Sequence, residues 1–319
     1  MLIDGHAILH RAYHALPDTF TDAAGNPTNA VYGFSSMLIR LLHLCQPDYL
    51  AVAFDHKGPT FRHAQLVTYK EGRPEMESSL AAQIPVVKRI LRDIEIPFYE
   101  VEGFEGEDII ATIIEQALGR KFKSRCEKMG GLEITIVTGD RDTLQLVGPQ
   151  VRVLCPKKGL SETITYDDKQ VWREYGLKPE QIPDYKGLRG DPSDKIPGVK
   201  GIGEKTAIKL LKKFGTLEEL YHRLGEVGKE IGTKLAEDAE MAVLSKRLAT
   251  ITDEVPLKFD IADSLLSPGF ITNFKKVLGK SKFFSLIDRL DNKKPGKKDA
   301  KKNTAKKSRT VVDGQLGLI

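Results

Sequence analysis

Glu133-Ile134-Thr135-Ile136-Val137-Thr138-Gly139-Asp140-Arg141-Asp142 is the stretch whose reading decides the fold. An apolar run of strand length ends at a glycine turn, and two carboxylates follow at once. The construction recurs where Met1 to Ile3 runs into Asp4 and where Tyr49 to Phe54 runs into Asp55. Pro97 to Val101 and Val151 to Leu154 are further strand-like runs, and helical patterns at 29–45, 84–95 and 106–118 alternate with them. Such alternation predicts an α/β fold with a mostly parallel sheet flanked by helices. Ligands of open sheets gather at the carboxyl ends of the strands, where Asp4, Asp55 and Asp140 fall.

Two more acidic clusters follow the same logic: Glu105, Glu107 and Asp108 at the head of a helix, and Asp191 with Asp194. Taken singly, Asp4, Asp140 and Asp191 read as helix caps or turn formers. Taken together they converge, and converging like charges need neutralisation. Oxygen donors of this kind suit Mg²⁺ or Mn²⁺ rather than zinc. Asp140 and Asp142 leave the strand pointing the same way, whereas Asp191 and Asp194 share one face of a helical turn. Two ions about 4 Å apart would activate a water and stabilise the leaving oxygen of a phosphodiester. That chemistry needs no His, Ser or Cys nucleophile.

The 319 residues, 40% hydrophobic, suffice for one large domain or two smaller ones. No run of about 18 apolar residues is present to span a bilayer. The opening Met1-Leu2-Ile3-Asp4 lacks the features of a signal peptide, so a cytoplasmic protein without membrane contact is expected, as a monomer. Cys45, Cys126 and Cys155 have no metal-type spacing and read as reduced core residues. The formal charge of +5 is uneven, because residues 293–310 carry nine Lys or Arg against Asp299 and leave the rest of the chain at −3. Nucleic-acid binding must therefore come from local clusters.

The α/β unit is expected over 1–165, with a long loop or mobile helical arch at about 56–83 that holds Arg62, Lys70 and Arg73. From about 165 the strand signal stops, and helical segments at 168–175, 179–188, 203–214, 216–223 and 234–248 predict a helical unit over 166–290. Residues 291–314 form a basic linker too polar to bury a core. Within the helical unit, Ile196-Pro197-Gly198-Val199-Lys200-Gly201-Ile202-Gly203-Glu204-Lys205-Thr206-Ala207 has the form of a helix-hairpin-helix element. Gly198, Gly201 and Gly203 allow backbone amides to approach a phosphate closely. The following helix offers its amino terminus with Lys205 and Thr206, and Lys200 adds charge. Val199 and Ile202 would pack the hairpin.

These motifs resemble the 5′-nuclease superfamily, specifically the 5′-3′ exonuclease domain of bacterial DNA polymerase I and its flap endonuclease relatives. The resemblance covers about residues 1–290. It is carried by Leu2-Ile3-Asp4-Gly5-His6, Asn29 to Phe34, Ala51 to Asp55, Gly58 to Arg62, Val137 to Asp142, and Gly190-Asp191 through Thr206. It implies a PIN-like sheet with a helix-hairpin-helix subdomain, and a metal-dependent nuclease that hydrolyses phosphodiesters at nicks, 5′ flaps and RNA primers in DNA replication and repair. By family pattern Asp4, Asp55, Glu105 and Glu107 surround one Mg²⁺, and Asp140, Asp142, Asp191 and Asp194 the other. Asp108 is implied as a supporting ligand through water. Lys70 and Arg73 fall on the positions of a lysine and an arginine that contact the scissile phosphate. Arg11 matches a further arginine expected to touch phosphate, Tyr13 offers a stacking surface, and the hairpin is implied to bind K⁺.

Three departures stand out. Glu107 occupies a position usually held by Asp in the polymerase-linked branch. Only three residues precede Asp4. No polymerase follows; the basic linker instead runs into Gln315-Leu316-Gly317-Leu318-Ile319, which resembles the peptide by which bacterial replication proteins bind the sliding clamp. Leu316, Leu318 and Ile319 would fill a pocket while Gln315 bonds at its rim. A tether of roughly 20 residues has a reach near 25 Å. This reading expects a stand-alone protein. Two other readings are a catalytically silent junction-binding module and a ribonuclease on the related PIN-type fold; the retained acids oppose the first and the hairpin opposes the second.

Overall fold

The computed structural model describes residues 1–22, 24–119, 131–157 and 162–291. Of the basic linker expected over 291–314 only Asp291 is described, as the last residue of helix Phe284–Asp291; the rest of it, the terminal Gln315 to Ile319 peptide and Cys126 lie outside the described residues. Six strands, β1 (Leu2–Asp4), β2 (Ala51–Ala53), β3 (Phe98–Tyr99), β4 (Ile134–Val137), β5 (Val151–Pro156) and β6 (Thr163–Tyr166), form one sheet in the order β3-β2-β1-β4-β5-β6. The first five are parallel, and β6 closes the edge antiparallel to β5. The mostly parallel α/β sheet expected from sequence is therefore present; β6 was not anticipated.

The order reverses at β1, since β2 and β3 lie to one side and β4 to the other. That reversal opens a crevice beyond the carboxyl ends of β1 and β4. Both faces of the sheet are covered, and alternation along the strands divides the core. Ile3, Val52 and Phe54 face one cluster with helices Gly5–Ala15, Asn29–Cys45, Ile84–Asp93 and Phe270–Lys280. Leu2, Ala51 and Ala53 face the other with Ile109, Ile110 and Ile113 of helix Gly106–Leu118. Cys155 is buried in the second cluster and Cys45 is half-buried, both as free thiols.

The helical unit has its own core, in which Val199 and Ile202 of the hairpin pack with Leu188, Leu210 and Leu211. The helix expected over 234–248 is two helices, Lys229–Glu237 and Ala239–Ala249. They break at Asp238, whose Oδ2 accepts the Lys200 amide at 2.7 Å, so the interruption ties down the hairpin. In the 56–83 region, helix Phe61–Gln65 and helix Ser78–Ala81 flank a run of turns. This segment is anchored at two points, with Arg62 and Tyr69 only 1% and 3% exposed. Among the described residues no helix is long and apolar enough to cross a membrane.

Candidate active site

Each strand-end acid is aimed by backbone bonds. Asp4 caps helix Gly5–Ala15, its Oδ1 accepting the Ala7 amide at 2.9 Å, while its Oδ2 accepts the Thr138 hydroxyl at 2.7 Å. The Thr138 hydroxyl oxygen in turn accepts the Asp140 amide, and Asp140 Oδ1 accepts the Asp142 amide at 2.8 Å. The Gly106 amide donates to Asp55 Oδ1 at 2.6 Å, which links β2 to the head of helix Gly106–Leu118. The cap-and-turn bonds are thus present, and in each an oxygen fixed by the chain sets the direction of the carboxylate. Glu107, Asp140 and Asp142 each bring one carboxylate oxygen within 4.8 Å of the others.

Burial and crowding make Asp4, Glu107 and Asp142 reluctant to ionise without a cation. Asp4 is pushed up to about 7, first by burial and then by Asp55 and Asp140. Asp142 is also raised to about 7, by burial and Asp140 against the pull of Lys186. Burial and the charges of Asp140 and Asp142 hold Glu107 well above the carboxylate range. The three clustered groups offer oxygen ligands, which fit a hard divalent ion. Because Asp4 and Asp142 keep their protons in the folded chain up to about pH 7, metal-free stability falls as pH rises from about 4 to 7. A divalent ion bound by these carboxylates would have to displace those protons, so the apparent affinity for Mg²⁺ should be weaker at pH 6 than at pH 8, by about tenfold for each carboxyl displaced. Calorimetric Mg²⁺ titrations at the two pH values check this, and equal affinities would refute it.

The remaining acids are held by basic side chains. Lys186 bonds Asp191 Oδ2 at 2.6 Å and also contacts Asp142. Burial alone would raise Asp191, but Lys186 and the Ser193 bonds hold it below the usual range. Lys70 Nζ lies 2.7 Å from Glu105 and 3.8 Å from Asp194, and Arg73 bonds Asp194 at 2.6 Å. Lys70 has the left-handed φ of 55°, and its amide donates to the Asp194 carbonyl. Sequence reasoning missed Lys186, although Ile182 four residues earlier marks an inward face. Lys186→Met should lower the melting temperature more in chelator than in Mg²⁺, since a bound ion supplies the missing charge. Equal losses in two melting scans would contradict that.

Asp108, expected as a supporting ligand through water, is turned inward instead. It is fully buried, and its oxygens accept Arg62 Nη1 and Nη2 at 2.7 and 2.8 Å and the amides of Glu105 and Thr252. Its four acceptor positions are filled, so it positions the helix head rather than a metal's water. Arg11 donates to the Lys157 carbonyl at 2.6 Å and lines a cavity of about 1210 Å³ together with Asp4, Asp55, Lys70, Arg73 and Asp140. Tyr13 is half-buried against the core and donates to Glu77.

A second cavity of about 590 Å³ runs from Asp140 and Asp142 past Lys186 and Asp191 to Glu204, at the head of helix Glu204–Phe214. The hairpin residues differ in what they offer there. Gly198 is internal: its amide donates to Ser245, and a Cβ on it would lie 2.2 Å from the Gly190 nitrogen. The Lys200 amide is taken by Asp238. Gly201, Gly203, Lys205 and Thr206 form the outer turn and the start of the helix. Gly198 thus serves close backbone packing, and the exposed part of the hairpin is shorter than the sequence suggests.

Comparison with known proteins fits this geometry. Residues 1–176 match the family model for the 5′-3′ exonuclease N-terminal resolvase-like domain, and residues 177–269 that for the 5′-3′ exonuclease C-terminal SAM fold. DNA polymerase I of Caldicellulosiruptor bescii is 41% identical over 292 residues, covering 91% of this chain and 33% of the relative. DNA polymerase I of Bacillus subtilis is 40% identical over 294 residues, covering 91% and 32%. The chain therefore spans about a third of the length of these relatives. T5 5′-exonuclease with bound zinc shares the fold at a TM-score of 0.62 and 19% identity, over 91% of this chain and 99% of that one. The catalytic core of Rad2 with DNA substrate does so at 0.56 and 15%, over 91% of each chain. With matched models spanning both the sheet and the helical unit, the chain belongs to the 5′-3′ exonuclease family.

Proposed function

We propose that this chain is a divalent-metal-dependent nuclease that hydrolyses phosphodiesters at 5′ flaps and nicks in duplex DNA. The observation that carries it is the crevice at the sheet's reversal, where Glu107, Asp140 and Asp142 cluster beside a cavity leading to the hairpin helix. Asp4, Asp55, Glu105 and Glu107 would hold one ion, and Asp140, Asp142, Asp191 and Asp194 the other, with Mg²⁺ or Mn²⁺ as the fitting metal. When bound, such ions supply an activated water and neutralise charge on the leaving oxygen. Lys70 and Arg73, on the wall of the larger cavity with Asp4, Asp55 and Asp140, would steady the phosphate's charge. Arg11 would hold a neighbouring phosphate. The outer turn of the hairpin with Lys200, Lys205 and Thr206 would grip duplex backbone without reading bases. A K⁺ ion among the hairpin carbonyls would strengthen that grip.

Primer removal in replication and repair, by a cytoplasmic monomer, is the biological role this reading favours. The peptide Gln315 to Ile319 on its basic tether would bind the sliding clamp, and deleting it should abolish clamp binding; unchanged affinity would refute that part. The central test is incubation with a labelled 5′-flap duplex in Mg²⁺ and in chelator, with the product ends mapped. Metal-dependent cuts at the junction are expected. Tight binding without cutting would replace the nuclease reading by a silent junction-binding module.

A further inference from the structure

We propose that His10 and His14 form a chelating site for a borderline divalent ion of the Zn²⁺ class, separate from the acidic centre. The two residues stand one turn apart on helix Gly5–Ala15 and so share a face. Their Nε2 atoms are 3.1 Å apart, with the rings tilted by 64°. Zinc–nitrogen bonds of about 2.0–2.1 Å place two imidazole nitrogens on a tetrahedral ion about 3.3 Å apart. The pair is therefore close to a chelating bite without movement of the backbone. Both histidines are exposed and line the cavity of about 1210 Å³, beside Arg11 and Arg73.

Glu77 lines the same cavity and its charge acts on His10. Its Oε2 accepts the Tyr13 hydroxyl at 2.5 Å, and the carboxylate does not join the two histidines in a three-ligand group, so water would complete the ion's coordination. Imidazole nitrogen suits Zn²⁺, Ni²⁺ and Cu²⁺, and the oxygen cluster can take Zn²⁺ as well as Mg²⁺, so the histidine signals are what tell the two sites apart. An ion held by His10 and His14 places fixed positive charge on the cavity wall, where phosphate can approach. The site stands independently of nuclease activity and is tested without it.

The full chain, with Mg²⁺ in large excess to fill the acidic centre, is titrated with Zn²⁺ by calorimetry while the imidazole nitrogens are followed by NMR. One Zn²⁺ should bind and move the Nε2 signals of His10 and His14 together. His10→Gln and His14→Gln should each weaken binding at least about tenfold. Undiminished binding by the double variant would assign the Zn²⁺ to the carboxylates and overturn the proposal. Unmoved histidine signals in the wild-type chain would reduce the pair to a plain ring-to-ring hydrogen bond, and that readout decides the matter even if a variant fails to fold.

Discussion

Asp140→Asn is expected to lower the single-turnover cleavage rate by at least about a thousandfold, some 4 kcal/mol of barrier, while leaving affinity for a 5′-flap duplex within about threefold. Asp140 is the junction of the site: it belongs to the cluster with Glu107 and Asp142, lines both cavities, and raises Asp4, Glu107 and Asp142 by its charge. The asparagine keeps an acceptor for the Asp142 amide, so the turn after β4 survives. What it removes is one charge from the metal-facing group. The hairpin and the head of helix Glu204–Phe214, which would carry most of the grip on DNA, are untouched.

The same substitution has a second signature that separates chemistry from misfolding. Relieving repulsion within this cluster of carboxylates should raise, not lower, the melting temperature of the metal-free protein. Lost cleavage with unchanged or raised stability supports the assignment. Full cleavage by Asp140→Asn would refute it, and a large fall in melting temperature would mean that the residue is chiefly structural.

Reading the sequence reached the sheet and most of the acids because both depend on local signals. Short apolar runs ending in Asp announce strand ends, and parallel topology brings those ends together without knowledge of any side-chain contact. The basic partners were not legible in the same way. Lys and Arg are solvated in most settings, so although Ile182 marks the inward face of its helix, the sequence does not mark Lys186 as the clamp between Asp142 and Asp191. Asp108 misled because its partner Arg62 lies 46 residues away, and that pairing turns it from the site into the core. Helix 234–248 was read as continuous because Asp238 is tolerable in a helix; its bond to the Lys200 amide is a tertiary event. By contrast, the pattern Phe270, Phe274, Val277 and Leu278 has the spacing of an inward helix face, and that element could have been found.

Arg62→Met is expected to cost about 3–5 kcal/mol and to lower the melting temperature by roughly 6–15 °C. Arg62 joins three parts of the chain: its guanidinium bonds Asp108 in bidentate fashion, its Nε donates to the Leu248 carbonyl at 2.9 Å, and Nη2 donates to the Thr250 carbonyl at 3.1 Å. Methionine fills much of the volume but leaves Asp108 charged, fully buried and without its counter-ion. The cost therefore comes from the stranded carboxylate rather than from a cavity. Adding Asp108→Asn removes that charge and should recover about 1–2 kcal/mol, though not all, because the Glu105 and Thr252 amides still need both oxygens and an asparagine supplies only one. A double-mutant cycle by denaturant unfolding measures the coupling directly. Simple additivity of the two substitutions would mean that the pair holds the helix head by packing alone. Strong coupling would identify the buried Arg62–Asp108 pair as the fixture that sets Glu105 and Glu107 at the edge of the crevice.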